Sequence, residues 1–224
     1  MADLKKLSRH RLAQIVAAEI PDGSYVNVGL GIPTLVARYL DPSKEVILHS
    51  ENGILGLRGL REGEAGDVDL INASKEHVQL VPGSSICEQS TSFAMMRGGH
   101  LDATILGAFQ VSPNGDIASW STGDPNAVPG IGGAMDLVAG AKRVIVTMEH
   151  TTRDGQPKLL ERCVFPLTGC GVVTSVYTDL VAIDVVPGTG FVVRGLADGV
   201  SREQVQRATG APLHWADCVS VLTH

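Results

Sequence analysis

The sequence predicts an α/β fold: an open, largely parallel to mixed sheet flanked by helices. Three observations carry that expectation. Early in the chain, short Val/Ile-rich runs of strand length alternate with segments of helical apolar spacing. Glycine, at 26 of the 224 residues, punctuates the joints between them. Aromatic residues make up only 4%, so the core must be built from Val, Ile, Leu and Ala. This length holds one large domain with a substantial core, and residues 1–224 are expected to form a single domain.

The first twenty residues are charged in front and amphipathic behind, with Leu7, Leu12, Ile15, Val16 and Ile20 near helical spacing. They lack a long apolar stretch and a small-residue cleavage site, so a first helix is expected and not a signal peptide. PDG at 21–23 makes a turn, SYVNVGL a strand that ends in glycine, and GIPTLVARYL a helix with Pro33 near its start. EVILHS is a second buried strand. LRGLREGEAGDVD, residues 57–69, concentrates charge and glycine and reads as an exposed, mobile loop. HVQLV is expected as a short strand, TSFAMMRG as a short helix and ATILGAFQVS as one buried strand stopped by the PNGD turn. The Gly/Pro-rich STGDPNAVPGIGG leads to a helix over AMDLVAGA, then a strand over RVIVTMEH. Strands over CGVVTSVYT and VAIDVV follow. A hairpin through PGTG leads to FVVRGL, and a last helix begins at Ser201, whose side chain can cap it.

Composition also excludes classes. The net charge of −6 and the absence of a Lys/Arg cluster argue against nucleic acid, which needs clustered cations along phosphates. No run approaches the roughly 20 apolar residues of a membrane-spanning helix. Cys87, Cys163, Cys170 and Cys218 lack metal or disulfide spacing, so a reduced, cytoplasmic protein with buried inert thiols is expected. The scattered histidines lack an i, i+4 partner, and no metal is expected. Ser50 lacks the G-x-S-x-G elbow of a serine hydrolase.

Three stretches could carry chemistry. In GLGIPT, Gly29 and Gly31 stand between a strand and a helix, either as a tight turn or as backbone amides facing an electron-rich oxygen. In HSENGILG, Glu51 follows an apolar run and precedes Asn52-Gly53, a pair suited to a tight turn. It is either an ordinary surface glutamate or a carboxylate held at the strand-end crevice where α/β sheets bind ligands. In PGIGGAMD, Gly130, Gly132 and Gly133 precede a helix, as a flexible linker or as donors toward a developing oxyanion.

SENGILG resembles the signature that family I coenzyme A transferases carry around their catalytic glutamate. YVNVGLGIPTLV, DLINASKEHV, SFAMMRGGHLD, LGAFQVSPNGD, GGAMDLVAGAKRVIVTMEH and CVFPLTG extend the likeness, to the B (β) subunits of 3-oxoacid CoA-transferases, over almost the whole chain. The resemblance implies the CoA-transferase-like α/β/α sandwich. It assigns Glu51 as a nucleophile in ping-pong chemistry through a glutamyl-CoA thioester, with oxyanion and CoA contacts at Gly29, Gly31, Gly132 and Gly133 and polar neighbours at Asn52 and Gln110. It implies coenzyme A as a co-substrate with no tightly bound cofactor, and an A (α) subunit as partner in an α2β2 assembly. The donor implied is succinyl-CoA. STGDPNAVPGIGG looks more like the 3-oxoadipate enzymes than the acetoacetate ones, and Arg58, Arg61, Arg97 or the partner subunit could meet the distal carboxylate of 3-oxoadipate. The chain departs from its relatives after Gly56, where LRGLREGEAGD replaces a Gly-Pro-x-Pro-like stretch, and at Ser119, where asparagine is common. The competing readings are an acyl-CoA hydrolase, a transferase of another acyl group, and a non-catalytic binding module in which Glu51 is only structural.

Overall fold

A computed structural model of the chain describes residues 5–124, 126, 128 and 130–223. Ser8 caps α1 (Arg9–Ala18) by accepting from the Arg11 amide, and Leu12, Ala13, Val16 and Ala17 form its buried stripe. β1 (Tyr25–Val28) follows the PDG turn. α2 (Ile32–Val36) carries Pro33 in its first turn and ends sooner than expected, residues 37–40 forming turns and bends.

β2 (Ile47–Ser50) ends one residue before Glu51, and β3 (Ile54–Gly59) begins three residues later. This corrects the expected loop over 57–69, because residues 57–59 are paired strand. Gly53, at φ 110°, turns the chain so sharply that its N–H donates to Ser50 O at 2.9 Å. A Cβ there would stand 2.1 Å from Cys87 O, so only glycine allows the turn to pack this closely. β3 pairs antiparallel with β2 and with β4 (Val78–Ile86), which is longer than the HVQLV strand expected.

α3 (Gln89–Arg97) lies where a helix was expected. ATILGAFQVS does not form one strand: it divides into β5 (Ala103–Leu106) and β6 (Gln110–Val111). The second piece leaves the sheet and pairs with β7 (Ile117–Ala118) across the PNGD turn. α4 (Ala134–Gly140), β8 (Val144–Met148), β9 (Ser175–Thr178), β10 (Val181–Val186) and β11 (Gly190–Ala197) follow in turn. α5 (Arg202–Ala208) begins with a capping box, in which Ser201 and Gln204 each satisfy the other's backbone N–H. β12 (Leu213–Leu222), a sheet-edge strand with a mostly half-exposed or exposed pattern, was not anticipated.

The ten-stranded sheet runs β12-β11-β10-β9-β8-β5-β1-β2-β3-β4. Its centre, from β2 to β9, is parallel. Antiparallel pairing occurs on both flanks. Successive strand residues enter different cores: Ile145 packs with Leu12, Val16 and Val36 of α1 and α2, whereas Val144 and Val146 pack with Met96, Leu137 and Val205 of α3, α4 and α5. Helices therefore cover both faces. The expected burial of the thiols does not hold: Cys87 and Cys163 are half-buried, and Cys170 and Cys218 are exposed. All four are free. Among the described residues, no helix is long and apolar enough to cross a membrane.

Candidate active site

The parallel strands β1, β2, β5 and β8 end along one edge of the sheet. β1 connects onward to β2 on one side, while its other neighbour, β5, arrives later in the chain. A crevice opens at such a switch in strand order. The Gly29 N–H donates to Ile105 O at 2.8 Å, and a Cβ on Gly29 would lie 3.2 Å from that same oxygen. Two backbones thus meet where a side chain would force its neighbours to give by a few tenths of an ångström. A cavity of about 770 Å³ occupies the crevice, lined among others by Asn27, Gly29, Gly31, Glu51, Phe109 and Gly133.

Glu51 reaches into this cavity from the bend after β2. The Gly133 N–H donates to its Oε2 at 3.1 Å. A Cβ on Gly133 would stand 2.5 Å from that oxygen, and one on Gly132 would stand 3.3 Å from Oε1. Gly132 itself sits at φ 47°. The carboxylate is therefore laid on bare backbone, which only two glycines in a row permit. Burial raises the pKa of this half-buried carboxyl above the usual range; the Gly133 N–H pulls the other way, and Asp136 adds to the rise. Such a group is a partly desolvated anion that keeps one hydrogen bond, which suits nucleophilic work.

Behind it, His49 is buried on β2. Asn27 Nδ2 lies 3.1 Å from His49 Nδ1, and His49 Nε2 lies 2.8 Å from Ser92 Oγ. An amide NH₂ only donates, so Nδ1 accepts and Nε2–H donates to Ser92. Burial lowers the histidine pKa to about 4, leaving the ring neutral. It fastens the end of β2 to α3 and to β1.

Gly29, Gly31, Gly132 and Gly133 share the Glu51 cavity, as does Ser119, whose N–H and hydroxyl both meet Thr168 Oγ1. The structure does not bring Asn52 or Gln110 to the cavity. Asn52 is exposed and donates to Ile71 O at 2.8 Å. Gln110 is buried, and its Oε1 accepts from the Val164 and Phe165 amides at 2.8 and 3.1 Å. Both instead brace loops. Arg58 is clamped to Glu64 at 2.6 Å and Arg97 to Asp136 at 2.5 Å. Neither of them lines the cavity, nor does Arg61; the cations that do are Arg9 and Lys158. Sequence reasoning missed Asn27, Phe109, Thr147 and Lys158 in this wall. Asn27 carries a readable signal, a polar residue between two valines of a buried strand, while the others gave none. Among the described residues, no group of three or more His, Cys, Asp and Glu is placed to hold a metal ion.

Comparison with known proteins agrees with this geometry. The chain is 51% identical over 208 residues to the B subunit of the 3-oxoadipate CoA-transferase of Acinetobacter baylyi, spanning 93% of this chain and 95% of that one. It is 44% identical over 204 residues to the human mitochondrial succinyl-CoA:3-ketoacid coenzyme A transferase 2, of which those residues make up 39%. An acyl-CoA transferase apoenzyme from Escherichia coli O157:H7 shares the fold over 99% of this chain and 44% of that one, with a TM-score of 0.75 at 19% identity. The coenzyme A transferase family model matches residues 9–208, and this chain belongs to that family.

Proposed function

We propose that the chain is the glutamate-bearing B subunit of a heteromeric CoA-transferase that moves CoA from succinyl-CoA to a 3-oxoacid, with 3-oxoadipate favoured over acetoacetate. The observation that carries this reading is the Glu51 carboxylate, half-buried in the strand-end cavity and held by the Gly133 N–H. The higher identity to the 3-oxoadipate enzyme than to the 3-ketoacid enzyme supports the acceptor.

The Glu51 carboxylate attacks the thioester carbonyl of succinyl-CoA, expelling CoA thiolate and leaving a succinyl-glutamyl anhydride. The thiolate attacks the glutamyl carbonyl of that anhydride, giving a glutamyl-CoA thioester and free succinate. The 3-oxoacid carboxylate then attacks the thioester and the steps reverse, which is covalent, ping-pong catalysis. Each addition builds negative charge on a former carbonyl oxygen, and a single aligned donor is worth about 3 kcal/mol there. The Gly133 N–H stands beside the glutamyl carbonyl, where the second addition needs it. Holding the reactants in line supplies roughly 7–11 kcal/mol more in favourable cases.

The partner we infer is an A subunit, in an α2β2 assembly. The naming of the bacterial relatives as B subunits supports it, as do apolar side chains left exposed about the cavity, Leu30, Phe109 and Ile131. The test is to copurify the chain with an A subunit, add succinyl-CoA without acceptor, and map the adduct by mass spectrometry after borohydride reduction. Borohydride reduces a glutamyl-CoA thioester to the alcohol as CoA thiolate leaves, so wild type is expected to carry that alcohol at residue 51 and Glu51→Ala no modification, with transfer lost and the complex intact. Transfer by Glu51→Gln at the wild-type rate, with deamidation excluded, would sink the assignment. Omitting the 3-oxoacid separates transfer from hydrolysis, since a hydrolase releases CoA steadily without it.

A further inference from the structure

The cavity holds a second polar region that Glu51 does not use. Lys158 and Thr147 line it, along with Arg9 and Glu149. Thr147 is on β8, three places from β2 in the strand order, which is roughly 14 Å at ordinary strand spacing. Lys158 is fixed over the end of β8: its N–H donates to His150 O at 3.3 Å, and its carbonyl accepts from the Val111 N–H at 3.1 Å.

The charges around Lys158 are already matched. Glu149 is paired with Arg9 at 2.5 Å, and Asp179 with Lys6 at 3.0 Å. Lys158 Nζ has no ion pair or hydrogen bond among the described residues, and the hydroxyl of Thr147 is enclosed without a partner. Burial lowers the lysine pKa, while Glu149 and Asp179 act to raise it. A half-buried ammonium whose nearest carboxylates are already paired elsewhere is costly, and a carboxylate arriving from the cavity offsets that cost. One uncompensated cation matches one carboxylate; a pyrophosphate would call for several donors. Glu51 and Lys158 line the same cavity from different strands' ends, so an acyl group whose carbonyl meets Glu51 extends toward the wall that Lys158 supplies.

We propose that Lys158, with Thr147 beside it, binds the distal carboxylate of the acyl group and so sets a preference for dicarboxylic over monocarboxylic acyl-CoA substrates. This rests on the transferase reading above and names the specificity residue of that same site.

The test uses the copurified heteromer and measures the second-order rate constant for forming the Glu51–CoA thioester, with release of the free acid, in the first half-reaction, with succinyl-CoA and acetoacetyl-CoA in parallel. Lys158→Met is expected to depress the succinyl-CoA value at least about tenfold more than the acetoacetyl-CoA value, the size of a lost charged hydrogen bond. Lys158→Arg should recover part of the ratio, and Thr147→Val should shift it by a smaller factor in the same direction. A merely structural lysine would lower both values together and leave the ratio alone, which would overturn the proposal. Equal weakening of both acyl-CoAs together with weaker binding of desulfo-CoA would assign Lys158 to the CoA phosphates and overturn it as well. If Lys158→Met does not assemble, Lys158→Gln and Thr147→Val read the same ratio. Wild-type heteromer that forms no Glu51 adduct from either substrate would refute the transferase reading itself, a result distinct from an unmoved ratio.

Discussion

Gly133 has no room for a methyl group, since its Cβ would stand 2.5 Å from Glu51 Oε2 and 3.2 Å from Phe93 Cζ. Gly133→Ala is therefore expected to push the carboxylate off the backbone and lower kcat about 100-fold, the usual consequence of roughly an ångström of misplacement, as steady-state kinetics on the heteromer would register. The same side chain makes a pH prediction. The ionised form attacks, so activity falls as pH drops through the pKa of Glu51, and burial with help from Asp136 places that fall above the ordinary glutamate range. Asp136→Asn removes one cause and should move the acid limb of kcat/KM to lower pH; a limb that stays in place would rule out the Asp136 contribution. At this scale the sequence was readable where a residue type has few uses. A glutamate before Asn-Gly and a pair of glycines before a helix pointed to the groups the fold joins. Lys158 was invisible, because a lone lysine after Pro157 looks like any solvated one until the fold carries it over the end of β8.

Among the elements, α5 offers the cleanest check on local physics. Its capping box places the Ser201 hydroxyl 3.2 Å from the Gln204 amide and the Gln204 side-chain oxygen 2.7 Å from the Ser201 amide. Ser201→Ala should cost about 1 kcal/mol in chemical denaturation and leave transfer rates unchanged, because the helix lies outside the cavity lining. This helix was legible from its own residues, as was the presence of the central parallel strands from their Val/Ile-rich segments, though not the end of β5 at Leu106. β3 was not legible: LRG at its end reads as loop, and it is strand because Gly53 turns the chain back against β2. β12 escaped for a related reason. In HWADCVSV the alternation of Trp215, Val219 and Val221 is broken at Asp217, and its pairing with β11 depends on the α5 crossover placing it there.

Across the molecule, two buried histidines tie stability to pH. His150 is enclosed between Thr178 Oγ1 at 2.9 Å and Thr209 Oγ1 at 2.8 Å, and burial lowers its pKa to about 4. His49 is lowered to about 4 for the same reason. With folded values below the unfolded 6.5, protonation favours the unfolded chain, so stability is present above pH 6.5 and is lost as pH falls toward 4. His150 alone accounts for about 3 kcal/mol of that loss. Glu51, whose pKa is raised, works in the opposite sense. Urea unfolding followed from pH 7 down to pH 4.5 should show a falling midpoint, and a level midpoint would contradict the neutral His150 pair.

The strand order has a further consequence during synthesis. β1 is made early, yet its partner β5 lies beyond β4 and α3, so more than seventy residues separate Val28 from Ala103. A nascent chain therefore leaves the ribosome with one flank of an apolar strand open until its second neighbour has been translated. Loop closure over that interval is slow, and an unsatisfied strand edge recruits other chains. Slower growth at reduced temperature, or overproduced trigger-type chaperones, should raise the recovered yield of this subunit more than that of a variant permuted to begin just before β5.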